Sequence, residues 1–212
     1  PRAFRSAYPP GSTFKTFVGL SGFQSGKLKA TDTYSGPQAI DIGNFTFHNW
    51  KKYDVGKLNF VEALTQSCNT WFIQLGLKLG APDIILWTNR LGLGKKTGIP
   101  LKAEAQGNIP NDDYMLRVQK RKILKGDVAN MSIGQGDIQI TPLQMAQAYG
   151  AIAAGGQFHQ TRLVKQIQGL DNKVGSAYPD RVRDDLQISP EDMATLREAL
   201  IAVTEDGQGT AH

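Results

Sequence analysis

The stretch Tyr8-Pro9-Pro10-Gly11-Ser12-Thr13-Phe14-Lys15 decides how the rest of this chain is interpreted. Two prolines and a glycine interrupt the chain, so a helix is predicted to begin near Ser12. Residues three apart share a helix face, which brings the Ser12 hydroxyl and the Lys15 amine together. A serine becomes a nucleophile beside a base, and a lysine with a lowered pKa can be that base. Taken in isolation, the same spacing more often marks an N-cap serine followed by a surface lysine.

Length and composition bound the remaining possibilities. The chain has 212 residues, of which 40% are hydrophobic and 20% charged, and its net charge is +5. These values suit one globular domain, or a domain with part of another, and they argue against disorder or a collagen-like repeat. No apolar run approaches the roughly 18 residues of a membrane span. The single cysteine, Cys68, excludes an internal disulfide framework and any multi-cysteine metal site. The three scattered histidines exclude an HExxH site.

The positive charge gives little support for nucleic-acid binding. The densest basic run, Arg117–Lys125, lacks interleaved aromatic residues and matches no nucleic-acid motif. We interpret this run as a solvated loop or helix face. A surface that faces an anionic polymer or a membrane is the alternative.

Capping residues and periodicity predict a mainly helical chain. Helices are predicted after the N-caps Asn59, Thr141 and Ser189, the last as a capping-box variant with an acidic first turn. The helix after Thr141 is predicted to stop at Gly155-Gly156. Shorter helices are predicted over Thr70–Leu79 and Pro82–Leu91, and hairpins within 161–178, around Asp171-Asn172, and within Ala39–Trp50.

The segment around Ser12 closely resembles the active-site segment of high-molecular-weight penicillin-binding proteins. Ser67-Cys68-Asn69 is similar to the second motif of that superfamily, SxN, although alone it is an ordinary turn between helices. Further segments resemble the elongation-specific branch of the family, in the same order along the chain. They are Asn49–Lys52, Gly56–Asn59, Leu91–Ile99, Glu104, Gly107–Pro110, Ile133–Gly136, Thr141–Ala146 and Gly209–His212. The resemblance therefore spans the whole chain.

The third family motif, KTG or KSG on a strand beside the site, needs care. Lys96-Thr97-Gly98 spells it, but we reject this match, because it lies in a glycine-rich turn and is followed by Ile99-Pro100. The resemblance places the true third motif beyond His212. Residues 1–212 are then part of a transpeptidase domain, cut from a longer protein.

The resemblance implies the α/β (α+β) fold of penicillin-binding proteins and serine β-lactamases. This chain is expected to hold mainly the helical part, with most of the central antiparallel sheet missing. Without that sheet we expect the 212 residues alone to be inactive and poorly soluble. The last helix is expected to expose the apolar residues Met193, Leu196, Leu200 and Val203.

The resemblance also implies the chemistry, that of a peptidoglycan D,D-transpeptidase. Ser12 would attack the penultimate D-alanine of a stem peptide, and Lys15, kept neutral, would take its proton. Ser67 would relay that proton to the leaving amine. Asn69 would bind the substrate backbone and orient Lys15. The Ser12 amide would form half of the oxyanion hole.

Partners and location follow from the same resemblance. Stem peptides, β-lactam antibiotics, a membrane glycosyltransferase and proteins of the elongation complex are the implied partners. No cofactor, metal or nucleic acid is implied. The family is found at the bacterial inner membrane, with its catalytic domain in the periplasm.

Two other functions and one other nucleophile stay open. A serine β-lactamase is the nearest enzyme, but no deacylating carboxylate after Ser67-Cys68-Asn69 stands out. A non-catalytic β-lactam-sensing or scaffold domain is the second alternative. Cys68 is interpreted as a buried structural thiol rather than a nucleophile. Some relatives hold a metal beside SxN, but the nearby positions Ser35, Asn49 and Val55 offer Cys68 no fellow ligands.

Overall fold

The computed structural model describes all residues from Pro1 to His212 as nine helices and eight short strands. The helices are α1 (Arg2–Arg5), α2 (Lys15–Gln24), α3 (Phe60–Thr65), α4 (Asn69–Leu79), α5 (Ala81–Arg90), α6 (Asp112–Gln119), α7 (Lys125–Ser132), α8 (Pro142–Ala153) and α9 (Pro190–Glu205). The strands are β1 (Tyr34–Ser35), β2 (Ala39–Ile42), β3 (Phe45–His48), β4 (Lys57–Leu58), β5 (Gln157–His159), β6 (Gln166–Gln168), β7 (Val174–Ala177) and β8 (Val182–Asp185). None of the helices combines the length and the apolar character that crossing a bilayer requires.

The predicted N-caps begin the helices where the sequence placed them. Asn59 and Thr141 each form a reciprocal capping box, with Glu62 and Gln144 respectively. The hydroxyl of Ser189 accepts from the amide of the residue three positions on, so it caps α9 without the reciprocal half of a box. The shorter predicted helices are confirmed as α4 and α5. The predicted helix near Ser12 begins as a 3₁₀ turn, Gly11–Phe14, which continues into α2.

Three helices, α1, α6 and α7, were not predicted from the sequence. Asn111 caps α6 through a bond from the Tyr114 amide, and α7 follows after a short turn. The basic run Arg117–Lys125 covers the end of α6, this turn and the first residue of α7. Most of it is exposed, as expected of a solvated face, and Arg121 pairs with Asp127. The polar composition of the run hid the helical spacing on either side of it.

The strands form four separate two-stranded antiparallel sheets, β1–β4, β2–β3, β5–β8 and β6–β7. The β2–β3 hairpin confirms the prediction within Ala39–Trp50. The β6–β7 hairpin confirms the later one, although residues 161–165 are not in a strand. No larger sheet forms among residues 1–212, which confirms that this chain is the helix-rich part of the fold.

Helix α2 is the centre of the core. All its residues from Lys15 to Phe23 are buried, between α4, α5 and α9. Such close packing requires a small residue at Gly19, where a Cβ would overlap the ring of Phe60. An aromatic cluster with edge-to-face contacts continues the core toward α4 through Trp71 and Phe72. The helix that carries Lys15 is therefore held on all sides.

The expectation of an exposed apolar face on α9 is wrong. Met193 is 6% exposed and Leu196 is fully buried. Leu200 and Val203 are partly buried against the same core. Helix α3 packs along this face of α9, and α2 adds further contacts. The chain thus supplies its own cover for these residues.

Candidate active site

The amine of Lys15 lies at the meeting point of every predicted site residue. Its side chain is completely buried, and four oxygens are within hydrogen-bond distance of Nζ. Asn69 Oδ1 and the backbone oxygen of Ser67 are each 2.7 Å away. The hydroxyl of Ser67 is 3.0 Å away and that of Ser12 is 3.2 Å away. The structure therefore brings together four residues that span positions 12 to 69.

The 3₁₀ turn presents the Ser12 hydroxyl at the surface while Lys15 points inward. The turn is fixed from outside, because the amide of Gly11 donates to the backbone oxygen of Gly134 over 2.9 Å. Gly134 has φ = +67°, and a Cβ there would collide with Gly11. Only glycine fits this contact, because it tolerates both the left-handed backbone and the close approach.

Tyr149 of α8 supports the same turn from the other side. Its hydroxyl donates to the backbone oxygen of Thr13 over 2.8 Å and lies 3.0 Å from the hydroxyl of Thr16. Its ring packs on Phe17. Burial raises the pKa of Tyr149, so the phenol stays a hydrogen-bond donor at neutral pH. Nothing in the sequence beyond its place in a predicted helix singled out this residue.

A strained turn between α3 and α4 carries the second motif. Ser67 has φ = +51°, which is uncommon for a residue with a side chain and costs conformational energy. The amides of Ser67 and Cys68 donate to the last turn of α3, and α4 begins at Asn69. In this conformation both the hydroxyl and the carbonyl of Ser67 face Lys15.

The segment His48–Lys51 holds this turn in place. The backbone oxygen of His48 accepts from Asn69 Nδ2 over 3.1 Å, so the amide of Asn69 is oriented with Oδ1 toward Lys15. The side chain of Asn49 accepts from the Asn69 backbone amide, and Trp50 Nε1 donates to the Gln66 oxygen over 2.8 Å. The sequence marked this segment only by resemblance. The structure shows that it supports the second motif.

Burial sets the protonation of Lys15. All four oxygens around its amine belong to neutral groups, so no carboxylate compensates the charge of a buried ammonium. Loss of hydration lowers the pKa of Lys15 from 10.5 to about 7, and the nearby Cys68 thiol opposes this shift. A substantial fraction of Lys15 is therefore a neutral amine at neutral pH.

The donor count fits the neutral form. A neutral amine has two N–H donors and one lone pair. The two oxygens at 2.7 Å, from the Ser67 backbone and Asn69, can only accept, so they take both N–H groups. The lone pair then faces the two hydroxyls, of Ser67 and Ser12, which can donate. The site can thus remove a proton from either serine.

Cys68 and the rejected third motif lie apart from this chemistry. Cys68 is 1% exposed and contacts Asn49 and Thr70, which confirms the structural thiol. Lys96-Thr97-Gly98 lies in a loop after α5, where Glu104 accepts from the Thr97 amide and hydroxyl and from the Gly98 amide. This loop is not part of a sheet, as the rejection of this match expects.

No group of three or more His, Cys, Asp and Glu side chains that could hold a metal ion is found among residues 1–212.

Comparison with known proteins defines the class. The protein-family model described as the penicillin-binding protein transpeptidase domain matches residues 1–212. The chain therefore belongs to the family of penicillin-binding protein transpeptidase domains.

Individual relatives include proteins named MrdA, PBP2 and penicillin-binding protein A. The peptidoglycan D,D-transpeptidase MrdA of Acinetobacter baumannii is 32% identical over 210 residues, covering 98% of this chain and 31% of the relative. The penicillin-binding protein PBP2 of Helicobacter pylori, solved in complex with MreC, matches with a TM-score of 0.86 at 28% identity, over 100% of this chain and 38% of its own. Penicillin-binding protein A of Mycobacterium tuberculosis, solved as a ceftriaxone acyl-enzyme complex, matches with a TM-score of 0.82 at 26% identity. The match covers 95% of this chain and 44% of that protein's chain. The resemblance to the penicillin-binding protein 2 branch is confirmed. The chain spans about a third of its curated relative.

Proposed function

We propose that this chain is part of a serine-type peptidoglycan D,D-transpeptidase of cell elongation, and a target of β-lactams. One observation carries the proposal. The fully buried Lys15 amine, with a pKa lowered to about 7, contacts the exposed hydroxyl of Ser12. A nucleophile within reach of its base is the arrangement that covalent acyl transfer requires.

Acylation begins at Ser12. Its proton passes to the lone pair of Lys15 as the oxygen attacks the carbonyl of the penultimate D-alanine. The backbone amide of Ser12 donates to the oxyanion that forms, and the second donor comes from the third-motif strand. The surrounding neutral oxygens stabilise the transient ammonium by accepting its hydrogen bonds.

Ser67 completes the proton path. Its hydroxyl, 3.0 Å from the Lys15 amine, passes the proton to the leaving amine of the terminal D-alanine. Asn69 uses Oδ1 to orient Lys15 and one N–H to hold His48, which leaves its second N–H for the substrate backbone. An amine from a neighbouring strand then attacks the acyl-enzyme and releases Ser12.

The relatives support the substrate and partners that we propose. The A. baumannii relative is named a peptidoglycan D,D-transpeptidase. The M. tuberculosis neighbour is described as an acyl-enzyme with ceftriaxone, and the H. pylori neighbour as a complex with MreC. We extend these properties to the full-length protein as a proposal, together with a membrane glycosyltransferase partner. Because its substrate is the cell wall, we place the protein at the inner membrane with this domain in the periplasm.

The experiment uses the full-length protein and a fluorescent penicillin, followed by a peptide cross-linking assay. We expect a stable label and cross-linked product, both lost in Ser12→Ala while the circular dichroism spectrum is unchanged. A label that turns over would instead identify a serine β-lactamase. A stable label without cross-links would identify a sensor or scaffold. Labelling retained in Ser12→Ala would refute Ser12 as the nucleophile.

A further inference from the structure

A cavity of about 470 Å³ lies between the end of α5, the loop that follows it, α8 and the β5–β8 sheet. Its lining is polar and contains two apolar residues, Leu86 and Phe158. The ring of Phe158 is 4% exposed and packs on Gly92, so the cavity has a rigid floor. The proposed catalytic residues do not line this cavity.

Positive charge is in excess around this cavity. Four cations line it, namely Arg90, Lys95, Lys96 and Arg183, with one carboxylate, Asp184. Arg90 binds that carboxylate through two hydrogen bonds of 2.9 Å, so this pair is neutral. The other three cations are exposed and form no ion pair within residues 1–212.

Neutral groups hold these free cations near the cavity. The guanidinium of Arg183 donates to the backbone oxygen of Thr97 over 3.0 Å and lies over the ring of Phe158. Lys95 reaches only the backbone oxygen of Asn89, at 3.4 Å. Their charges are therefore available to a ligand. Lysine and arginine side chains placed in this way suit the anionic oxygens of a phosphate ester.

We propose that this cavity binds a phosphate ester, with the phosphate on Lys95, Lys96 and Arg183. The volume accommodates more than a bare phosphate ion and falls in the range of small-molecule sites. A free metabolite and a lipid headgroup both carry this chemistry, and the experiment distinguishes them.

The test measures binding to the full-length protein at low ionic strength. One arm titrates sn-glycerol 1-phosphate by calorimetry. The other measures sedimentation with vesicles of phosphatidylglycerol in phosphatidylcholine, against phosphatidylcholine alone. Binding of the soluble ester assigns a free metabolite. Binding only to the anionic vesicles assigns a lipid headgroup.

Matched variants make the test specific. We expect Lys95→Gln/Lys96→Gln to weaken binding about fivefold or more, since each lost charge contributes a factor of up to about five at an exposed site. Arg183→Gln should weaken binding similarly. The control Lys29→Gln/Lys57→Gln removes two exposed charges elsewhere and should change binding less than twofold.

Three results would overturn the proposal. They are absence of binding in both arms, equal loss in the control pair, and unchanged affinity in the cavity variants. Thermal unfolding of each variant checks its fold. Binding in either arm is measured independently of Ser12 acylation. We expect the acylation rate of the cavity variants to stay within twofold of the wild type.

Discussion

The rate of acylation should follow the titration of Lys15. With a pKa of about 7, the neutral fraction rises about tenfold between pH 6 and pH 8 and then levels off. A lysine with its ordinary pKa of 10.5 would give a rise of about a hundredfold over the same interval, without a plateau. The shape of the profile therefore reports the burial of this amine.

The substitution Asn69→Asp perturbs this titration directly. Asn69 Oδ1 lies 2.7 Å from the Lys15 amine, so a carboxylate there would stabilise the ammonium. An opposite charge this close moves a pKa by about 1 to 3 units, here upward. At pH 7 the neutral fraction then falls from about one half to about one tenth or less, so acylation slows by roughly 5- to 500-fold. Only part of the rate should return between pH 9 and pH 10, because a carboxylate also lacks the N–H groups that Asn69 offers to His48 and to the substrate.

The assay is stopped-flow acylation of the full-length protein by a chromogenic cephalosporin from pH 5.5 to pH 10. Asn44→Asp is the matched control, since it makes the same chemical change on the exposed turn between β2 and β3. Its profile should equal that of the wild type. A wild-type rate that keeps rising tenfold per pH unit above pH 8 would refute the lowered pKa. An unchanged inflection in Asn69→Asp would refute the contact with Lys15.

Four further predictions follow from the same geometry. Lys15→Arg should abolish acylation, because arginine stays protonated; normal labelling by fluorescent penicillin would remove Lys15 from the mechanism. The free energy of unfolding should rise between about pH 7 and pH 10.5, where only the unfolded chain protonates Lys15, by up to about 1.4 kcal/mol per unit of pKa shift. Denaturant titrations of the wild type and of Lys15→Met would measure this rise. A difference in the free energy of unfolding between the two proteins that does not change with pH would contradict the prediction. Gly134→Ala should collide with Gly11, displace Ser12 and slow acylation at least about tenfold; Gly126→Ala, where a Cβ has open space, is its control. The 212-residue chain alone, without a strand beside Ser12, should acylate about 100- to 1,000-fold more slowly than the full-length protein, and equal rates would show that the third motif is misplaced.

Local sequence signals predicted much of the secondary structure. The caps Asn59 and Thr141 work through bonds within four residues, so their effect can be read without a tertiary structure. The spacing of Ser12 and Lys15 likewise placed two site residues on one face of a helix. The short strands β5 and β8 were missed, because their pairing joins residues more than twenty positions apart and neither strand has a strong alternating pattern.

The rejection of Lys96-Thr97-Gly98 also came from local sequence. A glycine-rich turn before it and a proline after it do not suit a strand within a sheet. The structure adds the reason for the loop, which is the carboxylate of Glu104 accepting from Thr97 and Gly98. Both levels agree here because turn-forming residues act over a few positions.

The sequence by itself determined the candidate site residues, the helix starts and, through ordered motifs, the family. Only the tertiary structure decided the state of the site. The pKa of Lys15 depends on its burial by α2, α4 and their neighbours. The amino-acid type at one position does not by itself determine how deeply that side chain is buried. The support of Asn69 by His48 and the cover of Leu196 by α3 are likewise contacts between distant segments. Such contacts depend on how the elements pack together, and this packing is a property of the whole chain.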